Sequence, residues 1–279
     1  MLNMLDLNTM MTSCIASAAL RRKIASAVLG AAACMTSLLP IHAHAQENRN
    51  WLEDAGTYLY VTKPAKFSTE VESWKDGKIN DAGRLEVYVG DFPKDRHSGS
   101  PKILLKFTEE GVRKGRMILY ESERAWMYFR GTNQAIRIPT AEQLIGDADV
   151  ASVLNLDLRE SYLVKGIKAV SGESDESAPK TVVELVDKTG NSPYARVELT
   201  VDGKTSRPID AKFYSLSGKL VRTVEYLEFQ PFQGKHVLQT VKITAHLNAK
   251  SDYTLLKYVA VKPYELPRRF FVPALLKDL

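Results

Sequence analysis

About a dozen short segments between residues 67 and 261 alternate apolar and polar side chains with a period of two, the pattern of strands with one buried face. In the first, Phe67, Thr69, Val71 and Ser73 fall on one face, and Ser68, Glu70, Glu72 and Trp74 on the other. Further strands are expected at 84–89, 102–108, 116–121, 124–129, 135–138, 162–170, 181–186, 195–201, 208–215, 219–229, 236–247 and 253–261. Turn residues punctuate them at 75–78 (KDGK), 81–83 (DAG), 202–203 (DG) and 216–218 (LSG). Residues 91–101 and 171–178 read as polar loops. No spacing repeats as a propeller or solenoid would, and the short connections favour a meander over a Greek key. The expected class is all-β with a minor helical part, a large curved antiparallel sheet or open barrel. One face of such a sheet has to be covered by the chain itself, by a partner or by a ligand.

Helical signals are few. Residues 47–60 read as a short helix that turns into a strand. Residues 140–161 break the alternation, and Asp147 or Asp149 can cap a helix carrying Val150, Val153, Leu154 and Leu158 at spacings of three and four. This is the one convincing helix expected in the middle of the chain. Pro263, Pro267 and Pro273 confine any helical turn in the tail to 274–279.

The strands lie behind an export signal. Arg21, Arg22 and Lys23 form a basic segment, 24–39 an apolar one, and Ala43-His44-Ala45 a signal-peptidase site, so cleavage is expected after Ala45. Translation starting at Met10 or Met11 would fit the same signal. The apolar run is shorter than the ~20 residues of a spanning helix. Ala31-Ala32-Ala33-Cys34 is a degenerate lipobox, which leaves lipidation of Cys34 open, although Met35, Leu38 and Leu39 that follow are apolar. The expected location is the periplasm, with 46–279 as a single domain.

Cys14 and Cys34, the two cysteines, both precede Ala45, so the mature chain would have neither disulfides nor thiolate metal sites. Three of the 38 basic residues and one of the 33 acidic ones also precede it, leaving a net charge of +3. Those charges are interspersed, which argues against nucleic acid and permits transient contact with an anionic membrane surface.

Catalytic signatures are missing. His97, His236 and His246 belong to no metal-binding or H-x-E motif, and there is no G-x-S-x-G, S-x-x-K or phosphate-binding glycine loop. Asp147 and Asp149 suit a helix cap better than a cation site. A non-enzymatic protein without catalytic residues, metal or cofactor is expected. The strands are instead rich in aromatic residues, among them Tyr88, Phe107, Tyr120, Trp126, Phe129 and Tyr226. A widely curved sheet under one short helix leaves an apolar concave face, and lipid chains suit it because their binding needs apolar area more than polar matching.

Two blocks carry a family resemblance. The first is KILLKFTEEGVRKGRMILYESERAWMYFRGTNQAIRIPTAEQLIGDADVASVLNLDL (102–158), with its W-x-Y strand, an R-R-I-like segment written here as Gln134-Ala135-Ile136-Arg137-Ile138, and a Gly-Asp-led helix. The second is YARVELTVDGKTSRPIDAKFYSLSGKLVRTVEYLEFQPFQGKHVLQTVKITAHL (194–247), with its G-K-L hairpin. The chain resembles the outer-membrane lipoprotein-sorting proteins, the Lol-type periplasmic carriers. That resemblance implies an incomplete β-barrel with a helical lid, whose cavity shields an acyl chain on its way to the outer membrane. Met117, Trp126, Tyr128 and Phe213 are nominated for the wall, and Val150, Val153, Leu154 and Leu158 for a movable cover. The expected partner is a lipid or lipoprotein acyl chain, with an inner-membrane transporter as a further candidate and a monomer as the expected state. Two alternatives stay open: an accessory subunit docking on an inner-membrane transporter through its sheet edges, with a filled core, and a hydrolase or lyase using His236 or His246 beside a carboxylate.

Overall fold

A computed structural model describes residues 49–90, 101–121, 124–132, 134–153, 157–170, 179–188, 190, 192–247 and 249–279. All belong to one unit, Asn48–Leu279. The expected signal and its cleavage site, most of both polar loops, His97 and Leu154 lie outside the described residues.

The first half of the sheet is built from β1 (Ala65–Lys75), β2 (Lys78–Gly90), β3 (Lys102–Phe107), β4 (Met117–Glu121), β5 (Arg124–Tyr128) and β6 (Ile136–Ile138). The second half is built from β9 (Tyr162–Val170), β10 (Lys180–Asp187), β11 (Arg196–Asp202), β12 (Pro208–Tyr214), β13 (Leu220–Phe232), β14 (Lys235–Ala245) and β15 (Tyr253–Pro263). A small hairpin, β7 (Gln143–Ile145) with β8 (Ala148–Asp149), separates the halves. Both halves are meanders, joined through β1 and β15, and the described sheet runs β6-β5-β4-β3-β2-β1-β15-β14-β13-β12-β11-β10-β9. It is all antiparallel and does not close, so β6 and β9 are its edges.

The turn expected at 81–83 is absent: these residues belong to β2 and pair with β1, Gly83 opposite Val71. The reason is the β7–β8 hairpin, which packs on the same strands. A Cβ on Gly83 would lie 2.4 Å from Ile145 Cδ1, so the glycine admits a neighbour instead of turning the chain. Arg113 secures the region by donating from Nη1 and Nη2 to Asp81, at 3.0 and 2.7 Å, and from Nη2 to Ala82 O at 2.7 Å.

The helices also depart from expectation. The longest described one is α1 (Trp51–Leu59), with no strand among the described residues 49–60. The Asn50 side chain caps it by accepting from Glu53 N, and Trp51, Leu52, Ala55, Gly56 and Leu59 form its buried stripe. It packs on β12 and β14, so the main helical cover is N-terminal. The expected mid-chain helix is two short pieces, α2 (Val150–Val153) and α3 (Leu158–Ser161). Asp149 caps α2 as expected, accepting from Ser152 N at 2.8 Å. Asp147 instead ties down the β14–β15 connection, accepting from Lys250 N and Ser251 N at 2.9 and 3.0 Å. Asp157, not part of the expected cap, starts α3 by accepting from Arg159 N.

Two cores result. The larger lies on the inner face, under α1, α2 and α3, and includes Trp51, Leu85, Val150, Val153, Leu199, Ile243 and Leu256. The smaller lies on the outer face of β3–β5, where Leu104, Met117, Leu119 and Tyr128 meet Phe271 and Leu276. Those last two come from the tail, which forms two 3-10 helices, Arg268–Phe271 and Pro273–Asp278, rather than one turn at 274–279.

Candidate ligand-binding cavity

The inner face does not fill completely. A cavity of about 840 Å³ lies between the sheet and its helical cover. Its floor is formed by Val224 and Tyr226 of β13, Val241 and Ile243 of β14, Tyr258 of β15 and Phe213 of β12. Its roof is formed by Tyr60, Ala151 and Ser152, and by Leu158 and Ser161 of α3. Tyr162 and Tyr194 close one side, and Tyr120 and Ile138 the other.

Six tyrosines therefore line it, and most of their hydroxyls serve the protein. Tyr60 Oη accepts from Leu158 N at 2.9 Å, which ties the end of α1 to α3. Tyr162 Oη donates to Tyr194 O at 3.0 Å, and Tyr258 Oη to Ser152 O at 3.3 Å. Burial pushes Tyr60, Tyr194, Tyr226 and Tyr258 well above the usual phenol range, so all four stay neutral at working pH. They give the wall apolar rings without a ready acid or base.

One buried ion pair holds the cover to the floor. Arg222 on β13 donates from Nη1 to Asp149 Oδ1 at 3.0 Å, with side-chain exposures of 9% and 2%. Its Nη2 donates to Asp147 O at 3.2 Å, while Tyr194 Oη donates to Asp149 Oδ2 at 3.3 Å. Burial lowers the Arg222 pKa, but Asp149 and Tyr194 outweigh it and the guanidinium is held above its usual value. At the α1–α3 junction Arg159 donates to Asp157 from Nε at 2.8 Å and to Glu53 Oε2 from Nη1 at 3.0 Å. Burial again opposes the charge on Arg159 and Asp157 outweighs it.

Of the residues nominated from the sequence, Phe213 and Leu158 line the cavity. Val150 and Val153 of α2 are fully buried, and it is Ala151 and Ser152 of the same helix that line the cavity. Met117, Trp126 and Tyr128 lie on the opposite face, packed into the cluster under the tail. Strand parity paired Trp126 with Tyr128 correctly, but the inner face of β5 is the one carrying Ala125 and Met127. The tyrosines of the roof and sides, and the Asp149–Arg222 pair, were not nominated. Parity could have found Arg222: it shares a face with Val224 and Tyr226, so it is a charge on the buried side of its strand.

His236 and His246 are exposed and are not among the described residues lining the cavity; His246 Nε2 meets Thr223 Oγ1 at 2.8 Å. The arrangement proposed for a hydrolase or lyase, a histidine beside a carboxylate in the pocket, is thus not formed by these two. Among the described residues no group of three His, Cys, Asp or Glu side chains is placed to hold a metal.

A family model described as "Uncharacterized protein" matches residues 99–278. Three solved structures share the fold. A LolA superfamily protein from Nitrosomonas europaea has a TM-score of 0.67 at 22% identity, covering 80% of this chain and 96% of its own. A DUF1329 family protein from Desulfovibrio piger gives 0.66 at 16% identity, covering 81% and 95%. A putative outer membrane lipoprotein-sorting protein domain from Vibrio parahaemolyticus gives 0.63 at 17% identity, covering 81% and 95%. No curated protein matches the sequence. The resemblance seen in 102–158 and 194–247 therefore holds at the level of fold, an open LolA-type sheet.

Proposed function

The chain belongs to the family whose model spans residues 99–278, and on that premise we propose that it is a periplasmic carrier holding a lipid or lipoprotein acyl chain in the inner-face cavity. The observation that carries this reading is the cavity itself, about 840 Å³ on the concave side of a LolA-type sheet. Its size falls within the range of about 300–1,000 Å³ typical of small-molecule sites. An acyl chain gains about 25 cal/mol for each Å² of apolar surface it buries against Phe213, Val224 and Ile243. The name of the Vibrio neighbour, a putative lipoprotein-sorting domain, supports the same cargo class. The export signal read from the sequence, with cleavage expected after Ala45, supports a periplasmic location for residues 46–279.

Capture and release require no covalent step. The cover is α2 together with α3, held by Asp149–Arg222 on one side and by Arg159 with Asp157 and Glu53 on the other. Moving it opens the roof while the sheet stays intact. A filled core, expected of an accessory subunit, is not what the inner face has.

Lipid extraction of the purified protein followed by mass spectrometry tests the reading, together with titration by a fluorescent fatty acid. The carrier reading expects a copurified acyl lipid or saturable binding of the probe. No extracted lipid and no binding would overturn it.

A further inference from the structure

One tyrosine of the cavity is unlike the other five. Tyr60, Tyr162, Tyr194 and Tyr258 spend their hydroxyls on the protein, and Tyr120 also has a partner. Tyr226 does not. It stands on β13 with Val224 two positions before it on the same face and Val241 across from it on β14, so its neighbours on the cavity floor are apolar. Tyr226 is only 9% exposed, and among the described residues its Oη has no hydrogen-bond partner. Nor is that hydroxyl walled in by protein atoms, as the partnerless Trp51 Nε1 and Thr69 Oγ1 are. It opens on the cavity that its ring lines.

A buried phenol without a partner costs free energy until something accepts its proton. Resting on the carrier reading above, we infer that the ligand brings the acceptor: the cavity takes a neutral acyl ester or amide, whose carbonyl oxygen accepts from Tyr226 Oη while the chain lies against Val224, Val241 and Ile243. An uncharged acceptor suits the site. Arg222, the cation beside the floor, is already held by Asp149, and a carboxylate taken into an apolar chamber without a partner is strongly disfavoured. A carbonyl meets the phenol without that penalty. The hydroxyl thus separates acylated lipids from hydrocarbon or ether chains of equal length, and it fixes how far the chain enters.

The test uses the mature protein and displacement of an uncharged fluorescent apolar dye by monopalmitoylglycerol and by hexadecylglycerol. These share a head and a chain length, and differ in that the first has a carbonyl and the second is an ether. From the unaltered protein to Tyr226→Phe, affinity for the ester should fall about fivefold, the scale of one neutral hydrogen bond. The ether should bind as before and so report an intact cavity. Infrared spectra of bound ester with an isotope-labelled carbonyl give a second readout, with the stretch expected at lower frequency in the unaltered protein than in the variant. Equal loss of both ligands, or loss of neither, would overturn the carbonyl inference and leave the carrier reading standing, as would a stretch that the substitution does not move. If neither ligand nor the dye binds the unaltered protein, the carrier reading fails and this inference fails with it.

Discussion

Arg222 and Asp149, 73 positions apart in the chain, meet at 3.0 Å beside the cavity. One comes from the sheet and the other from the residue that caps α2, so a single contact joins floor to cover. Both side chains are withdrawn from water, which makes each dependent on the other. Arg222→Met should cost about 3–5 kcal/mol, because it leaves the Asp149 charge buried and unpaired. Adding Asp149→Asn to that variant should cost less than the sum of the two single changes, since residues in one network are not additive. Urea denaturation of the two single variants and the double variant measures this, and strict additivity would deny the coupling.

Gly146 is a second fixed point. Its φ is +55°, and a Cβ there would lie 2.4 Å from Ser73 Oγ and 2.5 Å from Ser73 Cβ. Gly146→Ala is therefore expected to destabilise by about 2 kcal/mol or more, through left-handed backbone strain together with overpacking. Because the hairpin carries Asp147 and Asp149, ligand affinity should fall as well. A thermal melt and a dye titration read the two effects, and an unchanged melting temperature would contradict the packing described.

Stability should fall in acid. Hydrogen bonding by Arg113 holds the Asp81 carboxyl below the usual carboxylate range. Burial pushes Glu198 up, but hydrogen bonds from Tyr214 and Arg196 outweigh it and leave it lowered. A carboxylate with a depressed folded-state pKa stabilises the fold above its unfolded value, about 3.9 for Asp and 4.3 for Glu, and that contribution is lost as pH falls through the folded-state value. Melting temperature is thus expected to drop as pH falls below about 4. In Asp81→Asn the protein should be less stable at neutral pH and its acid slope shallower. An identical slope in the variant would remove Asp81 from the account.

The two faces of the sheet should separate in mutagenesis. Phe271 is fully buried on the outer face, its ring against Gly90. Phe271→Ala should cost about 3–5 kcal/mol and leave ligand affinity unchanged to within about twofold. Phe213→Ala, on the inner face, should weaken acyl binding by about tenfold or more. Calorimetry with a fatty acid distinguishes them, and a loss of affinity in the Phe271 variant would be the contrary result.

Much of the fold was legible because alternation survives wherever one face is wet. Ala65–Lys75 and Arg196–Asp202 bury every second residue, and the ladder follows from such stretches. Alternation fails where both faces are covered. Met117 to Tyr120 are all buried, by the inner core on one side and by the tail on the other, so period two could not say which face of β4 and β5 meets a ligand. The covering tail is proline-rich and forms 3-10 turns, with no periodicity to announce its docking. Gly83 reads as a turn and is a contact, since local chemistry cannot reveal that Ile145 arrives there from sixty residues away. Val150 and Leu158 fit one helical stripe in sequence, yet Asp157 caps a new start between them.

The inner cavity as the acyl site is tested most directly by labelling. The purified protein is loaded with a fatty acid bearing a photoactivatable group near the end of its chain, irradiated, digested and mapped by mass spectrometry. The account predicts labels on Leu158, Phe213, Val224 and Ile243, which line the cavity. Labels on Met117, Trp126, Tyr128 or the tail around Phe271, all on the outer face, would contradict it.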